Sequence, residues 1–136
     1  MGNIILINDF VRKIRCGEEY VVYHWDFEID VNKLISQSGY YDQFIKKFAK
    51  AVRILEGLKH QCVECSSLFE KLKRTEDLYS IRIKGQKNIR ILFSFLNYED
   101  SEKAILLVCF EEKGGKDYSD WIPVANNRLM EITERL

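Results

Sequence analysis

Residues 79–95 read YSIRIKGQKNIRILFSF, and their pattern is the strongest indication of a β-sheet in this chain. Its two apolar runs alternate side chains at a period of two, which is typical of half-buried β-strands. The short connection GQKN indicates that the two strands pair antiparallel as a hairpin. Odd-numbered isoleucines and phenylalanines are expected to face a core, and three cations occupy even positions on the opposite face: Arg82, Lys84 and Arg90.

The hairpin brings cations face to face in either of its two plausible registers. A three-residue loop places Arg82 opposite Arg90, and a five-residue loop places Lys84 opposite Arg90. Like charges in this position are destabilising, by an amount of order ~0.2–1 kcal/mol. A bound anion would remove that cost, and arginine is well suited to bidentate phosphate contact. The pattern favours a phosphate site; the alternative is a solvated face neutralised by acids such as Glu111 or Asp117.

The C-terminal third of the chain extends the hairpin and then changes period. A third apolar strand is predicted over residues 104–110, after strands over 78–84 and 89–96, so the three form an antiparallel meander. Two glycines then break the chain, and a helix is predicted over about 122–135. Pro123 is expected in its first turn, where a missing N–H is tolerated.

The N-terminal half adds strands and two helices. Residues 21–31 alternate apolar odd with polar even positions, which predicts a half-buried strand. Apolar residues then recur at helical spacing, which predicts a helix over about 42–56 and, after Gly57, a second over about 58–74. Residues 3–14 are expected to form a further strand.

These elements predict a single α+β domain over residues 1–136. We expect an antiparallel sheet of about four to five strands, two helices after the first long strand, and a C-terminal helix. Residues 1–20 would be an N-terminal extension that adds an extra strand.

Charge is unevenly distributed along the chain although its formal net charge is zero. Residues 1–44 hold 4 Lys/Arg against 7 Asp/Glu, residues 45–90 hold 12 against 5, and residues 91–136 hold 5 against 9. A basic middle between acidic ends can bind a polyanion locally. Solvated helix faces are the alternative explanation.

The cysteines and histidines do not predict a metal site or any other cofactor. Cys62 and Cys65 have the spacing of a redox or zinc pair, but no second pair of ligands completes a tetrahedral site. They recur with leucines at helical spacing, so we interpret them as small hydrophobes on a buried helix face. His24 and His60 are isolated from other ligand types.

No membrane partner is expected, because no apolar run approaches the ~18 residues of a membrane helix. The N-terminal MGNIILINDF lacks a basic region and a small-residue cleavage site, so we interpret it as part of the mature protein. A cytoplasmic location is the resulting expectation.

The order of several segments resembles a known family. They are a basic helix end FEKLK at 69–73, the strands LYSIRI at 78–83 and IRILF at 89–93, an apolar strand ending FEEK at 110–113, and IPVANNRL at 122–129. Together they resemble the RelE/ParE toxin superfamily, in its HigB-like branch, over residues 68–132. The long segment 1–20 departs from the compact toxins of that family.

The resemblance implies the toxin of a type II toxin–antitoxin system with a RelE-like fold. Such a protein is an endoribonuclease (an mRNA interferase) that cleaves translated mRNA on the ribosome and is inhibited by a cognate antitoxin, here expected to be a small helix-turn-helix protein. Arg82 and Arg90 match basic positions on the two central strands, and Lys113 matches the cation after the last strand. Tyr118 lies near a functional aromatic or histidine of some relatives, at a shifted spacing.

The remaining candidate RNA contacts are the cations around the hairpin: Lys71, Lys73 and Lys87. The first two match the basic helix end of the family loosely, and Lys87 lies in the predicted turn. The histidine that several relatives carry near the C-terminal turn is absent from this chain.

Metal-independent RNA cleavage requires three functions. The 2′-OH must be deprotonated, charge on the phosphorane must be stabilised, and the 5′-oxygen must be protonated. Arg82 and Arg90 suit the second function. Lys84 or Lys113 is the preferred base if crowding by other cations lowers its pKa, and Tyr118 is a candidate acid or base-stacking group. Asp117 and Glu112 are alternatives.

Two other functions are consistent with this sequence. The first is a ParE-like toxin or binding protein that engages a protein target such as gyrase without nuclease activity. The second is a diverged relative that is kept only for protein–protein contact.

Overall fold

The 79–95 hairpin lies inside a six-stranded mixed sheet. The computed structural model describes residues 5–6, 20–35, 39–98 and 101–134. The strands in these ranges are β1 (Ile5–Leu6), β2 (Val21–Tyr23), β3 (Phe69–Lys71), β4 (Tyr79–Ile83), β5 (Ile89–Tyr98) and β6 (Ser101–Glu111). The α-helices are α1 (Phe27–Ile35), α2 (Tyr41–Leu58) and α3 (Asp117–Thr133), and a 3₁₀ helix, Lys59–Glu64, follows α2.

The strand order is β1-β2-β6-β5-β4-β3, which confirms the predicted α+β class and the β4–β5–β6 meander. The sheet differs from the prediction because β2 pairs parallel with β6, whereas the other neighbours are antiparallel. Alternation along a strand identifies its buried face and carries no information about its direction. The long connection from β2 back to β6 permits either direction.

The hairpin adopts the first of the two predicted registers. Ile81 pairs with Ile91 and Arg82 pairs with Arg90, so the two arginines lie directly opposite each other on adjacent strands. The odd-numbered isoleucines are buried, as predicted from their parity. The sequence therefore identified both the strands and the opposition of like charges.

Both faces of the sheet are covered by helices. The odd face of β4 and β5 packs against α2, with Phe44, Phe48 and Val52 in the same buried cluster as Ile81 and Ile91. The even face packs against α3, where Leu92, Val108 and Phe110 share a second cluster with Ala125 and Ile132. The even face is thus largely a second core rather than an open surface.

A β-bulge in β6 adjusts this second core. Leu92 pairs with Val108 and Phe93 pairs with Leu106, so Leu107 is the extra residue of the bulge. Leu107 and Val108 both belong to the core under α3. The bulge therefore lets two consecutive side chains contribute to one face.

The predicted strand over 21–31 is wrong beyond Tyr23. The strand ends there, and Phe27, Val31 and Ile35 form the buried stripe of α1. Their spacing of four residues fits both patterns. In a strand, residues four apart lie on the same face, and in a helix they lie about one turn apart on the same face. Ile29 breaks the strand pattern, since half of it is exposed.

The predicted helix over 42–56 is confirmed as α2, and the second helix over 58–74 is wrong. Lys59 ends α2 with a positive φ of 53°, and the chain continues as a 3₁₀ helix and then as β3. Phe69 is buried from a strand that pairs with β4, so the apolar spacing in this segment reflects separate elements.

The C-terminal helix is confirmed, but it begins earlier than predicted. Asp117 starts α3, and its Oδ2 accepts the backbone N–H groups of Lys113 at 2.5 Å and Gly114 at 2.7 Å. Pro123 therefore lies inside the helix rather than in its first turn. Trp121, in the helical turn before this proline, packs against Phe110 with ring centroids 5.7 Å apart.

The N-terminal extension contributes β1, which pairs antiparallel with β2. Only Ile5–Leu6 of the strand predicted over 3–14 is described, and the rest of that prediction lies outside the described residues. Residues 99–100 of the polar segment between β5 and β6 also lie outside them.

Candidate functional site

Six polar side chains meet at one end of the sheet, on the face covered by α3. We call them the arginine cluster: Glu70, Ser80, Arg82, Arg90, Glu112 and Tyr118. Strand pairing builds it, since Glu70 lies opposite Ser80 and Arg82 lies opposite Arg90. Glu112 follows β6, and its backbone N–H donates to Asn88 O at 2.8 Å. Tyr118 comes from the first turn of α3.

Each arginine of the cluster forms an ion pair with a carboxylate. Arg82 Nη2 lies 2.8 Å from Glu70 Oε1, and Arg90 Nη2 lies 2.8 Å from Glu112 Oε1. The Arg90 side chain is only 11% exposed, while Glu112 is 32% exposed. The neutralisation expected of a structural face is therefore present, but the acids are Glu70 and Glu112 rather than Glu111 and Asp117.

Tyr118 is held against the sheet by two contacts. Its hydroxyl lies 3.0 Å from Ser80 Oγ, and its ring packs edge-on against Phe110 with centroids 5.3 Å apart. Burial raises the pKa of Tyr118, and the Ser80 hydrogen bond and the nearby Arg90 oppose that shift. The phenol therefore keeps its proton near neutral pH and is a donor at the edge of the ion pairs.

The cluster combines the groups that metal-independent phosphodiester cleavage requires. Two guanidinium groups supply fixed positive charge, two carboxylates can accept a proton, and a protonated phenol can donate one. Glu70 and Glu112 are 41% and 32% exposed, so water can solvate a carboxylate that a phosphate group displaces from its arginine.

The other candidate catalytic cations lie outside the cluster. Lys84 is exposed in the hairpin loop, where its backbone carbonyl accepts a hydrogen bond from Lys47 Nζ. The Lys113 side chain is 76% exposed, and its Nζ lies 3.9 Å from Glu111 Oε1. Lys87 Nζ lies 3.8 Å from the same Glu111 oxygen, so Lys113 shares this carboxylate with one other cation. The catalytic roles of these lysines stay predictions.

The candidate RNA-binding lysines are dispersed. Lys87 Nζ lies 3.8 Å from Glu111 Oε1, and Glu111 pairs with Ile89 on the face of the sheet opposite to that of Arg90. Lys71 instead donates to Thr75 O at 2.9 Å and lies over the Tyr79 ring, and Lys73 is exposed in the turn after β3. That turn lies at the opposite end of β4 from the hairpin loop, so Lys71 and Lys73 are not brought to the cluster.

Sequence reasoning missed Glu70 and Ser80. The sequence pattern predicts a helix at Glu70, so its position next to Ser80 and diagonal to Arg82 cannot be inferred from it. A strand assignment for 69–71 would have placed it there, because Phe69 and Lys71 alternate with Glu70 across an edge strand. Of the two alternative carboxylates, Glu112 lies in the cluster, whereas Asp117, the first residue of α3, accepts backbone N–H groups of the preceding loop. Hydrogen bonds from the backbone of Gly114 and Lys113 lower the pKa of Asp117.

Cys62 behaves as the hydrophobe that was predicted, although its setting is a 3₁₀ helix. It is buried in the core under α2, and burial raises the pKa of its thiol to about 11. Within the described ranges, no three His, Cys, Asp or Glu side chains come together as a metal site.

A second polar group, which the sequence did not reveal, joins α1 to α3. Asp30 Oδ2 accepts from Arg128 Nη1 at 2.6 Å and from the Cys109 backbone N–H at 3.3 Å. Arg128 also donates to Leu107 O at 2.8 Å, in the β-bulge. Burial raises the pKa of Asp30, and Arg128 opposes the shift. This buried pair ties two helices and the bulge together, which indicates a structural role.

His24 extends the same region and is fully buried. Its Nδ1 accepts from the Asp26 backbone N–H at 3.0 Å, so the neutral ring carries its proton on Nε2, which lies 2.9 Å from Glu131 Oε1. Burial lowers the pKa of His24, although Glu131 acts in the opposite direction.

We expect acid to destabilise the protein through His24. With a folded pKa below the unfolded value of about 6.5, the unfolded state binds more protons as pH falls below that value. The free energy of unfolding should fall by up to about 1.4 kcal/mol per pH unit from pH 6.5 to the folded pKa. Urea unfolding between pH 8 and 5 in a His60→Gln background measures this slope. An unchanged slope after adding His24→Gln would contradict the assignment.

No helix in the described ranges is both long and apolar enough to cross a membrane. Neither a protein-family model, nor a curated protein, nor a solved structure matches this chain.

Proposed function

We propose that the protein is the toxin of a type II toxin–antitoxin system and acts as a metal-independent mRNA endoribonuclease. The observation that supports this most is the arginine cluster, in which Arg82, Arg90, Glu112 and Tyr118 converge on one end of the sheet. The sequence resemblance to the RelE/ParE superfamily contributes the expected setting, translated mRNA on the ribosome.

The cluster suggests a route for cleavage. Glu112 takes the proton of the ribose 2′-OH as the 2′-oxygen attacks the adjacent phosphorus. Arg82 and Arg90 stabilise the negative charge that develops on the phosphorane oxygens. As the bond between phosphorus and the 5′-oxygen breaks, Tyr118 gives its proton to that oxygen. The products are a 2′,3′-cyclic phosphate and a 5′-hydroxyl.

Burial of Tyr118 fits the role of acid rather than base. Its pKa is raised, so it remains protonated at neutral pH and transfers a proton only to a strongly basic alkoxide. Glu112 keeps one third of its side chain exposed, so a ribose can reach it when a phosphate occupies Arg90.

The test is cleavage of RNA by the purified protein and by the protein induced in cells. We expect cleavage of RNA oligonucleotides in EDTA with 2′,3′-cyclic phosphate ends, and codon-aligned cuts by primer extension on translated mRNA. Tyr118→Phe should reduce the cleavage rate by about 10²-fold or more, because a general acid contributes about 10²–10⁴. A small helix-turn-helix protein encoded beside the gene should suppress growth arrest.

Two outcomes would contradict the proposal. Growth arrest with intact mRNA and with DNA damage would indicate that the protein acts on a target such as gyrase. Cleavage that disappears in EDTA and returns with Mg²⁺ would exclude the metal-independent route. Since cleavage on the ribosome requires translation, the purified protein is also assayed on translating ribosomes.

A further inference from the structure

A second cationic surface lies at the edge of the sheet, between α2 and β4. It is a pocket of about 360 Å³, and we call its four cations, Lys47, Lys50, Arg82 and Lys84, the basic groove. None of the described residues that line it is acidic. The three lysines of this groove, Lys47, Lys50 and Lys84, do not belong to the arginine cluster.

The groove is built by the ordered packing of helix and strand. Lys47 and Lys50 are three residues apart on α2, so their Cβ atoms lie about 5–6 Å from each other on one face. Lys47 Nζ also donates to Lys84 O, which ties the helix to the hairpin loop. Ile54, Leu68 and Ile83 add apolar surface to the pocket.

Arg82 connects this groove to the arginine cluster. It lines the pocket and at the same time lies 2.8 Å from Glu70, a member of the cluster. The lysines of α2 lie on one side of the sheet and the arginine cluster lies on the other, so a strand of phosphates reaches the paired arginines by passing around the sheet edge at Arg82 and Glu70.

We propose that the basic groove binds the backbone of single-stranded RNA on one side of the scissile phosphate. This rests on the proposed ribonuclease function and extends it to the path of the substrate. Four cations without a lining acid match a chain of phosphates, and the apolar residues can cover a ribose or a base. Each lysine acts as a point charge on a phosphate, whereas Arg82 belongs to both surfaces.

Binding of a labelled 2′-O-methyl RNA octamer, which cannot be cleaved, tests the groove by fluorescence anisotropy at several salt concentrations. Lys47→Gln/Lys50→Gln should reduce the slope of log affinity against log salt by about 1.4, because each phosphate contact on a single strand contributes about 0.7. If the variant and the wild type bind RNA equally at 1 M salt, this difference in slope makes the variant bind roughly 25-fold more weakly than the wild type at 0.1 M salt.

Lys46→Gln/Arg53→Gln is the matched control. It removes two exposed cations from the same helix, and neither residue lines the groove. We expect its affinity for RNA to remain within about twofold of the wild type, because salt screens charges that lie away from the bound RNA. Equal losses of RNA affinity in the two double variants would show that the lysines attract RNA only through non-specific charge. That result would refute the proposed role of the groove.

The outcomes separate the groove from the function. Unchanged RNA binding in Lys47→Gln/Lys50→Gln, with RNA cleavage intact in the wild type, would refute the groove alone. Absence of RNA binding and of cleavage in the wild type would refute the proposed function. Weaker binding by the groove variant, with a folded protein by circular dichroism, would support the proposal.

Discussion

Arg128→Met should lower the free energy of unfolding by about 3–5 kcal/mol, because it leaves the Asp30 carboxylate buried without its cation. Both side chains are well shielded, with 14% of Arg128 and 8% of Asp30 exposed. The change also removes the hydrogen bond to Leu107 O. Since domains of this kind are typically stable by about 5–15 kcal/mol, the variant should be close to unfolding. Urea unfolding followed by circular dichroism measures the loss.

A neutral pair should recover much of this stability. In Asp30→Asn/Arg128→Met the buried charge is gone, and the amide oxygen of asparagine can still accept the Cys109 N–H. We expect at least half of the loss to be restored. The single variant should also regain stability on acidification towards pH 4.5. A buried carboxyl with a raised folded pKa favours the folded state below its unfolded pKa and loses that contribution as pH rises.

The exposed arginine of α2 provides the control, because Arg53→Met removes a cation that is exposed to solvent. Its effect should stay within about 0.5 kcal/mol, as for ordinary surface substitutions. A loss of under 1 kcal/mol in Arg128→Met would contradict the role given to the pair.

The sequence correctly predicted those helices and strands whose apolar periodicity fits only one type of secondary structure. The three strands of the meander and the helix α2 have long, unmixed periodicities, and their assignment is confirmed. The apolar spacing of residues 21–31 fits a strand and a helix equally, whereas the helical spacing of residues 58–74 comes from two separate elements, the 3₁₀ helix and β3. In both places tertiary pairing determined the result, since Tyr23 ends a strand that pairs with β6 and Phe69 pairs with β4.

The only part of the site that could be predicted is the part that depends on the alternation of odd and even positions along a strand. The parity of β4 and β5 placed Arg82 and Arg90 on one face and opposed them, as the structure shows. Their partners come from distant parts of the chain, Glu70 from an edge strand and Tyr118 from the start of α3. Nothing local specifies that α3 begins before Pro123, so neither the burial of Tyr118 nor its contact with Ser80 could be inferred.

The ion pairs change the energetic argument for the two arginines. Opposed cations cost stability on their own, but each is compensated by a carboxylate at 2.8 Å, and the hairpin needs no bound anion to be stable. Stabilisation of the fold is therefore by itself a sufficient explanation for each arginine–glutamate pair. The two arginines differ in exposure, with 26% of Arg82 and 11% of Arg90 accessible, so Arg82 is the more accessible of the two to an anion.

Arg82→Gln/Arg90→Gln should abolish RNA cleavage, with a rate at least about 10⁴-fold below the wild type. Loss of one preorganised donor to a developing oxyanion costs about 10²–10³, and here two charged donors are lost together. Growth arrest on induction should disappear with it. The glutamates left behind are partly exposed, 41% for Glu70 and 32% for Glu112, so water can solvate them and the protein should still fold.

Lys46→Gln/Arg53→Gln removes the same number of charges from an exposed face and should leave the cleavage rate unchanged. Circular dichroism and urea unfolding show whether the arginine variant is folded, and a folded variant with the wild-type cleavage rate would exclude the cluster as the catalytic site. If that variant proves unfolded, Arg82→Lys/Arg90→Lys separates the two roles. It keeps both charges beside Glu70 and Glu112 but loses the planar bidentate contact, so it should fold and cleave more slowly than the wild type.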